Sequence, residues 1–363
     1  MSLAVLAAAI AAVPLVTADR FTLKVLTLVG IQALVVVGLA LVFGYAGQIS
    51  LGHAAFYGIG AYVSAWLVKG LGLPWPFGPL GAVAAATLAG LLLAVPTMRL
   101  RGHYLAMATL GFGEIMTVVF VEAKALTGGP DGLSGIPFPS IGPFVLRDPA
   151  ANYWLAWAVL GVALLLASNL VRSRPGRALR ALHASETGAT ACGVDVGRAK
   201  IAVFTLSAGM AGLAGSLYAH FVGFISPSSF GLSTSIVLVA MVVLGGMGSL
   251  AGAVAGTALL TVLQYPGVVL PGLPASIVST VEDWQPDIYG LTLIVVMLFA
   301  PGGLAGLARS VRRRLRGHRP PTPRGGDASG GGPGDTAPVT FAGGATTGAD
   351  PTTGDAPVAG EVS

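Results

Sequence analysis

An all-α polytopic integral membrane protein, a helical bundle crossing the bilayer many times, is the fold class this sequence predicts, and three observations predict it. Apolar residues fill 54% of the 363 positions and charged residues only 10%. Mean hydropathy is +0.80, too high for a soluble domain of this size. Apolar segments near the length needed to cross about 30 Å of hydrocarbon recur along the chain. They fall at roughly 2–16, 25–43, 53–68, 78–97, 103–122, 152–171, 201–223, 232–247, 252–271 and 288–308. That gives about ten transmembrane segments, and the 53 glycines point to broken or re-entrant helices among them.

The opening MSLAVLAAAIAAVPLV has the length of a signal peptide but lacks the positive start such peptides use, so it reads as a retained first span. Orientation follows from the polar island at residues 172–200, which carries six Lys or Arg residues. Short basic loops stay on the cytoplasmic side. Counting outward, Arg99 and Arg101 also land inside, as does the basic run Arg309, Arg312, Arg313, Arg314 and Arg316, and Glu282, Asp283 and Asp287 land outside. Arg20 and Lys24 fall outside, against the bias. The Gly- and Pro-rich residues 126–150 form an external cap or loop rather than a helix. A membrane domain over 1–316 is therefore expected, followed by a disordered cytoplasmic tail over 317–363 that has too little apolar surface to fold.

Within the island, ALRALHAS has apolar residues at helical spacing and SETGATACG ends in Gly193. A short helix lying along the membrane face and closed by glycine is predicted. It is either a docking surface or a solvated loop that only sets orientation. Between the second and third segments, GYAGQISLGHAAFYGIGAY sets Gln48, Ser50 and His53 among five glycines. Polar groups at membrane depth line a water-filled path or satisfy one another inside protein, and the glycines suit either a broken helix or close packing. Glu114 lies near the middle of its segment, where a charge costs on the order of 3 kcal/mol, so it is expected to face the interior. It could line a pore, carry protons or pair with Arg99, Arg101 or His53. Gln48, Ser50, His53 and Glu114 are the candidate translocation-path residues. The stripes Gly248, Gly252, Gly256 and Gly209, Gly212, Gly215 read as helix-packing surfaces.

Other classes are disfavoured. Cys192 is the sole cysteine, which excludes an internal disulfide and a cysteine-based metal centre. No metal site, cofactor or catalytic residue is expected. The basic residues sit in loops rather than on a periodic face, so nucleic acid is not a partner. The chain lacks a G-x-x-x-x-G-K-[ST] phosphate loop, so ATP coupling has to come from a partner and the chain is not itself an enzyme.

Taken with LRGHYLAMATLGFGEI, LTGGPDGLSGIP, GRALRALHASETGATACGVDVGRAK, FTLSAGMAGLAGSLYAHFVGFISPSSF and VVLGGMGSLAGAVAGT, the Gly44–Tyr62 string resembles the permease subunits of bacterial ABC importers for branched-chain amino acids, of the LivM type. The match runs from residue 25 to about 308. The resemblance implies a subunit of the inner membrane that works with a second permease, two cytoplasmic ATP-binding subunits and an extracytoplasmic binding protein. It also implies that the island is the coupling segment seated in the ATPase, with Arg177, Arg180, Glu186 and Gly193 as its working residues. Ser185, Thr187 and Gly188 depart from the family's more acidic or bulkier pattern there. The family includes permeases for urea and short amides, which these strings do not separate from branched-chain amino-acid permeases. Two rivals come from other classes: a proton-driven secondary transporter using Glu114 and His53, and a non-transporting scaffold or receptor.

Overall fold

The structure is a computed structural model that describes residues 19–97, 103–142 and 144–265, with Trp284, Gly290, Leu291, Ile294, Leu298 and 303–307. The expected first span at 2–16, the basic turn at Arg99 and Arg101, most of 288–308 and the tail at 317–363 lie outside the described residues.

Helix α1 (Arg20–Ala40) starts where the Asp19 carboxylate accepts from the backbone N–H groups of Phe21 and Thr22, both at 3.1 Å, and from the Thr22 hydroxyl at 2.7 Å. The Thr22 hydroxyl foremost, then the two amides, hold that carboxyl below its usual range, and a negative charge suits a helix N-terminus. The helix widens into a π turn over Leu41–Tyr45, and α2 (His53–Ala65) follows after an irregular stretch at 46–52, itself ending in a π turn over Trp66–Gly70. Helices α3 (Phe77–Thr97) and α4 (His103–Glu122) come next, then a single-turn α5 (Lys124–Thr127). Helix α6 (Pro149–Arg172) leads to two short helices, α7 (Arg174–Ala184) and α8 (Glu186–Ala191). Helix α9 (Val196–Val222) is 27 residues long, about 40 Å at 1.5 Å per residue. Helices α10 (Leu232–Gly245) and α11 (Leu250–Leu263) follow.

One end of the bundle carries α7 and α8, and the other carries a small cap made from residues 123–148. In the cap, β1 (Leu133–Ser134) pairs antiparallel with β4 (Phe224–Ile225), just beyond the end of α9, and β2 (Ser140–Ile141) pairs with β3 (Phe144–Val145). The Lys69 ammonium donates to the Ser134 carbonyl and ties the end of α2 to the same cap.

Helix α1 with its π turn and α9 form the interior. Residues of the most apolar 18-residue window are 83% buried in α1 and 67% in α9, against 17% in α4. Helix α9 packs on α2, α3 and α1, while α1 also contacts α6, α10 and α11. Glycine permits the closest of these approaches. A Cβ on Gly60 of α2 would overlap the Gly212 carbonyl of α9, one on Gly215 would overlap the Tyr57 carbonyl, and one on Gly212 would meet Ala86 of α3. Backbone therefore lies directly on backbone. The remaining large apolar side chains, such as Leu80, Leu92, Met107, Ile115 and Leu166, point outward, as they do in a protein solvated by acyl chains.

Among the described residues six helices are long and apolar enough to cross a membrane, fewer than the ten expected segments. The segment at 252–271 holds the 14-residue α11, that at 53–68 holds α2 continued by its π turn to Gly70, and those at 2–16 and 288–308 lie wholly or mostly outside the described residues. The stripe expected at Gly248, Gly252 and Gly256 is corrected. Gly248 sits in the α10–α11 turn at φ +83°, and only Gly252 and Gly256 pack in the helix, against Gly245 and the Met241 carbonyl.

The glycine contacts make a testable contrast. Gly215→Ala should destabilise the protein by about 1–3 kcal/mol or more through overpacking, lowering the thermal midpoint in detergent. Gly161→Ala, with open space around it, should be neutral or stabilise by up to about 1 kcal/mol through helix propensity. Equal midpoints for the two variants would show that the α2–α9 contact is not as close as described.

Candidate functional site

The end of the bundle that bears α7 and α8 is built by three breaks in the chain. A Cβ on Gly176 would overlap the Leu170 and Val171 carbonyls, so only glycine permits the reversal from α6 into α7. Helix α7 is amphipathic, with Leu179 and Leu182 buried and Arg177 and Arg180 exposed. It contacts the π turn at Leu41–Tyr45, α6 and α8. Ser185 interrupts the helix in extended conformation and caps α8 by accepting from the Gly188 N–H at 3.1 Å. The single helix expected here is therefore two. Gly193 follows at φ +77°, the left-handed conformation glycine tolerates, and Asp195 caps α9 through the Arg198 N–H at 3.0 Å.

Glu186 does not cap a helix, since Ser185 does so. Its carboxylate pairs with the ammonium of Lys200 in the second turn of α9. The Lys200 side chain is 5% exposed and the Glu186 side chain 28%, so this tie is sheltered on one side and open on the other. Removing Glu186 would leave the sheltered Lys200 ammonium uncompensated, so breaking this pair costs more than breaking a surface pair. Helices α8 and α9 are joined by charge as well as by chain.

The irregular stretch 46–52 finds partners for its backbone inside the bundle. The Gln48 N–H donates to the Val42 carbonyl at 3.0 Å, the Leu51 N–H to the Thr109 hydroxyl at 3.0 Å, and the Ala54 N–H to the Ser235 hydroxyl at 3.2 Å. Such satisfaction is what membrane depth requires of non-helical backbone. The glycines in this region serve close packing: Gly44 against Gly248, Gly47 (φ +65°) against His183, Gly52 against Thr109 and Gly58 against Phe120 and Phe230. His53 is fully enclosed, with Nδ1 at 2.8 Å from the Ser50 hydroxyl and Nε2 at 2.7 Å from that of Ser207 in α9. A neutral imidazole donates from one nitrogen and accepts at the other, so the two serines satisfy it without a charge. Gln48 is buried too, and its Oε1 has no hydrogen-bond partner among the described residues.

A second relay joins α2 and α9 nearer the cap, through residues that no sequence motif singles out. The Ser64 hydroxyl lies 2.7 Å from that of Ser216 and 2.9 Å from His220 Nε2, while His220 Nδ1 lies 2.8 Å from the Pro137 carbonyl. A carbonyl only accepts, so His220 carries its proton on Nδ1. In a neutral ring the Ser64 hydroxyl then donates to Nε2 and accepts from Ser216. The chain runs in one direction, from α9 through α2 and back to α9, and ends on the cap. The Ile136 N–H also donates to the Gly223 carbonyl at 3.2 Å. Serines inside apolar helices, as in FTLSAGMAG, are the one sequence signal that could have pointed to these partners.

Glu114 departs from expectation. It lies on an exposed face of α4 and has no ion-pair partner among the described residues. Its helix is the least buried of the long helices, so the interior that would shelter it is not supplied by this chain's described residues. A Cβ on Gly113 beside it would lie 3.7 Å from the Gly52 Cα, which sets this part of α4 beside the irregular stretch. Gln48, Ser50 and His53 thus cluster between α1, α2 and α9, whereas Glu114 stands outside that cluster.

Comparison with known proteins bears on what such an arrangement does. A family described as the permease component of the branched-chain amino acid transport system matches residues 21–301. The chain belongs to that family. It is 34% identical over 316 residues to the high-affinity branched-chain amino acid transport system permease protein LivM of Escherichia coli K12, covering 80% of this chain and 71% of that protein. Identity to the permease LivH of Salmonella typhimurium is 27% over 299 residues, covering 77% and 92% of the two chains. The autoinducer 2 import system permease LsrC of Salmonella paratyphi B is 32% identical over 225 residues, 60% of each chain. No solved structure matches. This permease is a multi-pass membrane protein, and its relatives are transport permease subunits rather than enzymes.

The two relays predict measurable couplings. His220→Ala should lower stability in detergent by about 0.6–2 kcal/mol, the range for hydrogen bonds between membrane helices. Ser64→Ala added to it should cost little more, because the chain is already broken. Nitrogen NMR should report His220 as the Nδ1–H tautomer. Additive losses, or an Nε2–H tautomer, would contradict the relay.

Proposed function

We propose that this chain is the membrane subunit of an ATP-driven importer and forms the translocation path for leucine, isoleucine and valine. It works in the bacterial inner membrane beside a second permease subunit, takes its ATP hydrolysis from two cytoplasmic ATP-binding subunits, and receives substrate from an extracytoplasmic binding protein. One observation carries the reading. A pair of short helices, α7 and α8, stands at one end of the bundle with Arg177 and Arg180 exposed, and an ion pair ties it to a 27-residue helix that reaches the opposite cap. A push on α8 is handed through Glu186 and Lys200 to α9, and through the His220 relay to residues 136–137. In this reading residues 172–200 face the cytoplasm, Arg177 and Arg180 meet the ATPase, and Gly193 permits the turn back into the membrane. The uncovered face of α4 with Glu114 lies toward the second permease or the path. Gln48, Ser50 and His53 line or brace the inner wall of that path.

Branched-chain amino acids are favoured by the names of LivM and LivH, while LsrC carries another cargo in its name, so a separate titration of the binding protein has to choose among these and the short amides. Proton-driven transport gains no support from the geometry. A proton carrier needs water on alternating sides, and His53 is 1% exposed with both ring nitrogens held by serines.

The test uses the assembled complex in proteoliposomes, reading substrate-stimulated ATPase activity and uptake together. Glu186→Lys should uncouple the two about tenfold, within the range of a coupling free energy of about 1–3 kcal/mol. The swap Glu186→Lys with Lys200→Glu should recover part of the loss by rebuilding the pair. Gly193→Val forces a β-branched residue into a left-handed turn, a strain of about 1–2 kcal/mol even for an ordinary residue, and should uncouple as well. Arg177→Glu with Arg180→Glu should weaken capture of the ATP-binding subunit. If all these variants hydrolyse and transport like the parent, the segment is only a topology signal. Uptake driven by a pH gradient without ATP would instead favour the secondary transporter.

A further inference from the structure

At the cap end, opposite the docking helices, a groove of roughly 560 Å³ opens between the starts of α1 and α6, the end of α9 and Tyr265 beyond α11. Three of its lining residues are cationic, Arg20, Lys24 and Arg147, and none is anionic. All three are exposed and none has an ion-pair partner among the described residues. The neighbouring Asp19 carboxylate is turned onto its own helix N-terminus. Asn152 holds the strand of chain that bears Arg147 by donating to the Leu146 and Asp148 carbonyls at 2.8 and 3.1 Å. Cations here run against the charge bias that orients the rest of the chain, so they call for an anion on this side.

The groove does not stop at the cations. Leu28 continues its wall down α1, with Phe221 and Val222 of α9 also lining it, and Leu28 lies about 12 Å along the helix from Arg20 at 1.5 Å per residue. Phe138 of the cap closes the upper rim, and Phe21 stands edge-on to Tyr265 with ring centroids 6.3 Å apart, the amphipathic aromatic setting of a membrane boundary. A partner protein's acidic surface would be met by cations on a flat rim. Here cations crown an apolar trough that descends to acyl-chain depth. We propose that this groove binds an anionic phospholipid, its phosphate on Arg20, Lys24 and Arg147 and one acyl chain along Leu28, Phe221 and Val222.

The test uses the full chain purified in detergent, titrated with phosphatidylglycerol and with phosphatidylcholine of the same chain length, with native mass spectrometry reading retained lipid. Phosphatidylglycerol should be preferred, and each neutralisation among Arg20→Gln, Lys24→Gln and Arg147→Gln should weaken it about fivefold, the effect of one basic residue at a lipid surface. Leu28→Trp, which fills the trough and leaves every charge, should weaken both lipids. Glycerol phosphate, a headgroup without chains, should not displace the bound lipid. Equal retention of the two lipids, a triple variant that holds phosphatidylglycerol like the parent, or full displacement by glycerol phosphate would overturn the proposal. So would unchanged lipid binding in a triple variant that loses the extracytoplasmic binding protein, since the patch would then be a protein contact. A shared thermal midpoint between parent and variants excludes misfolding as the cause.

Discussion

The rest of the structure depends on the contact of α9 with α2 and α3, where carbonyl groups of one helix lie against the Cα atoms of the next. Lipid tails are as apolar as leucine, so helices in a bilayer gain little from hiding apolar side chains from it. They gain from dispersion between closely fitted surfaces and from hydrogen bonds that lipid cannot offer. Gly60, Gly212 and Gly215 supply the first, and the two serine–histidine chains above and below them supply the second. Because hydrogen bonds at membrane depth act over short reach, the relays form only if the glycines let the helices close. Packing and polarity are thus one constraint here, and a substitution at either disturbs the other.

That constraint divides the molecule. Helices α2, α3 and α9 meet at glycine contacts too close for an added Cβ and form one close-packed body. Helix α4 is mostly uncovered and touches that body chiefly near Gly52 and Phe120. The π turns that end α1 and α2 lie where the rigid part gives way to irregular chain, which is where π geometry recurs at functional positions. The ion pair between Glu186 and Lys200 connects the exposed helices to that close-packed body rather than to α4.

Much of this was legible in the sequence, and the reasons for success and failure are physical. The polar island stood out because six basic residues are rare amid apolar sequence, and ALRALHAS showed its periodicity directly. The close-packing role of the glycines was readable from their spacing of three and four. Their partners were not, since Ser207 and Ser235 lie 154 and 181 residues from the atoms they bind and no local pattern encodes so distant a contact. Glu186 was legible only as a coupling residue implied by the resemblance, and its mate is Lys200, 14 residues on and brought near by a turn that contains Gly193. Glu114 was placed inside because charge is costly in hydrocarbon. Its exposure shows only that the described residues of this chain do not supply the shelter that cost argues for. The count of about ten segments is neither matched nor overturned, since six helices qualify among the described residues while 2–16 and most of 288–308 lie outside them.

One detail of the cap-side relay reaches beyond packing. A membrane that stores energy as a proton gradient sets about 2.3 kcal/mol on each charge for every 100 mV, and two histidines among serines inside a helical bundle could serve as stepping stones for its escape. The chain from Ser216 through Ser64 and His220 ends on the carbonyl of Pro137, an acceptor with no proton to hand on. A proton arriving along it has nowhere to go, and the reverse path has no donor at its mouth. Along this relay the bonds that clamp the helices also deny a proton an onward carrier, so helix packing and proton retention rest on the same hydrogen bonds.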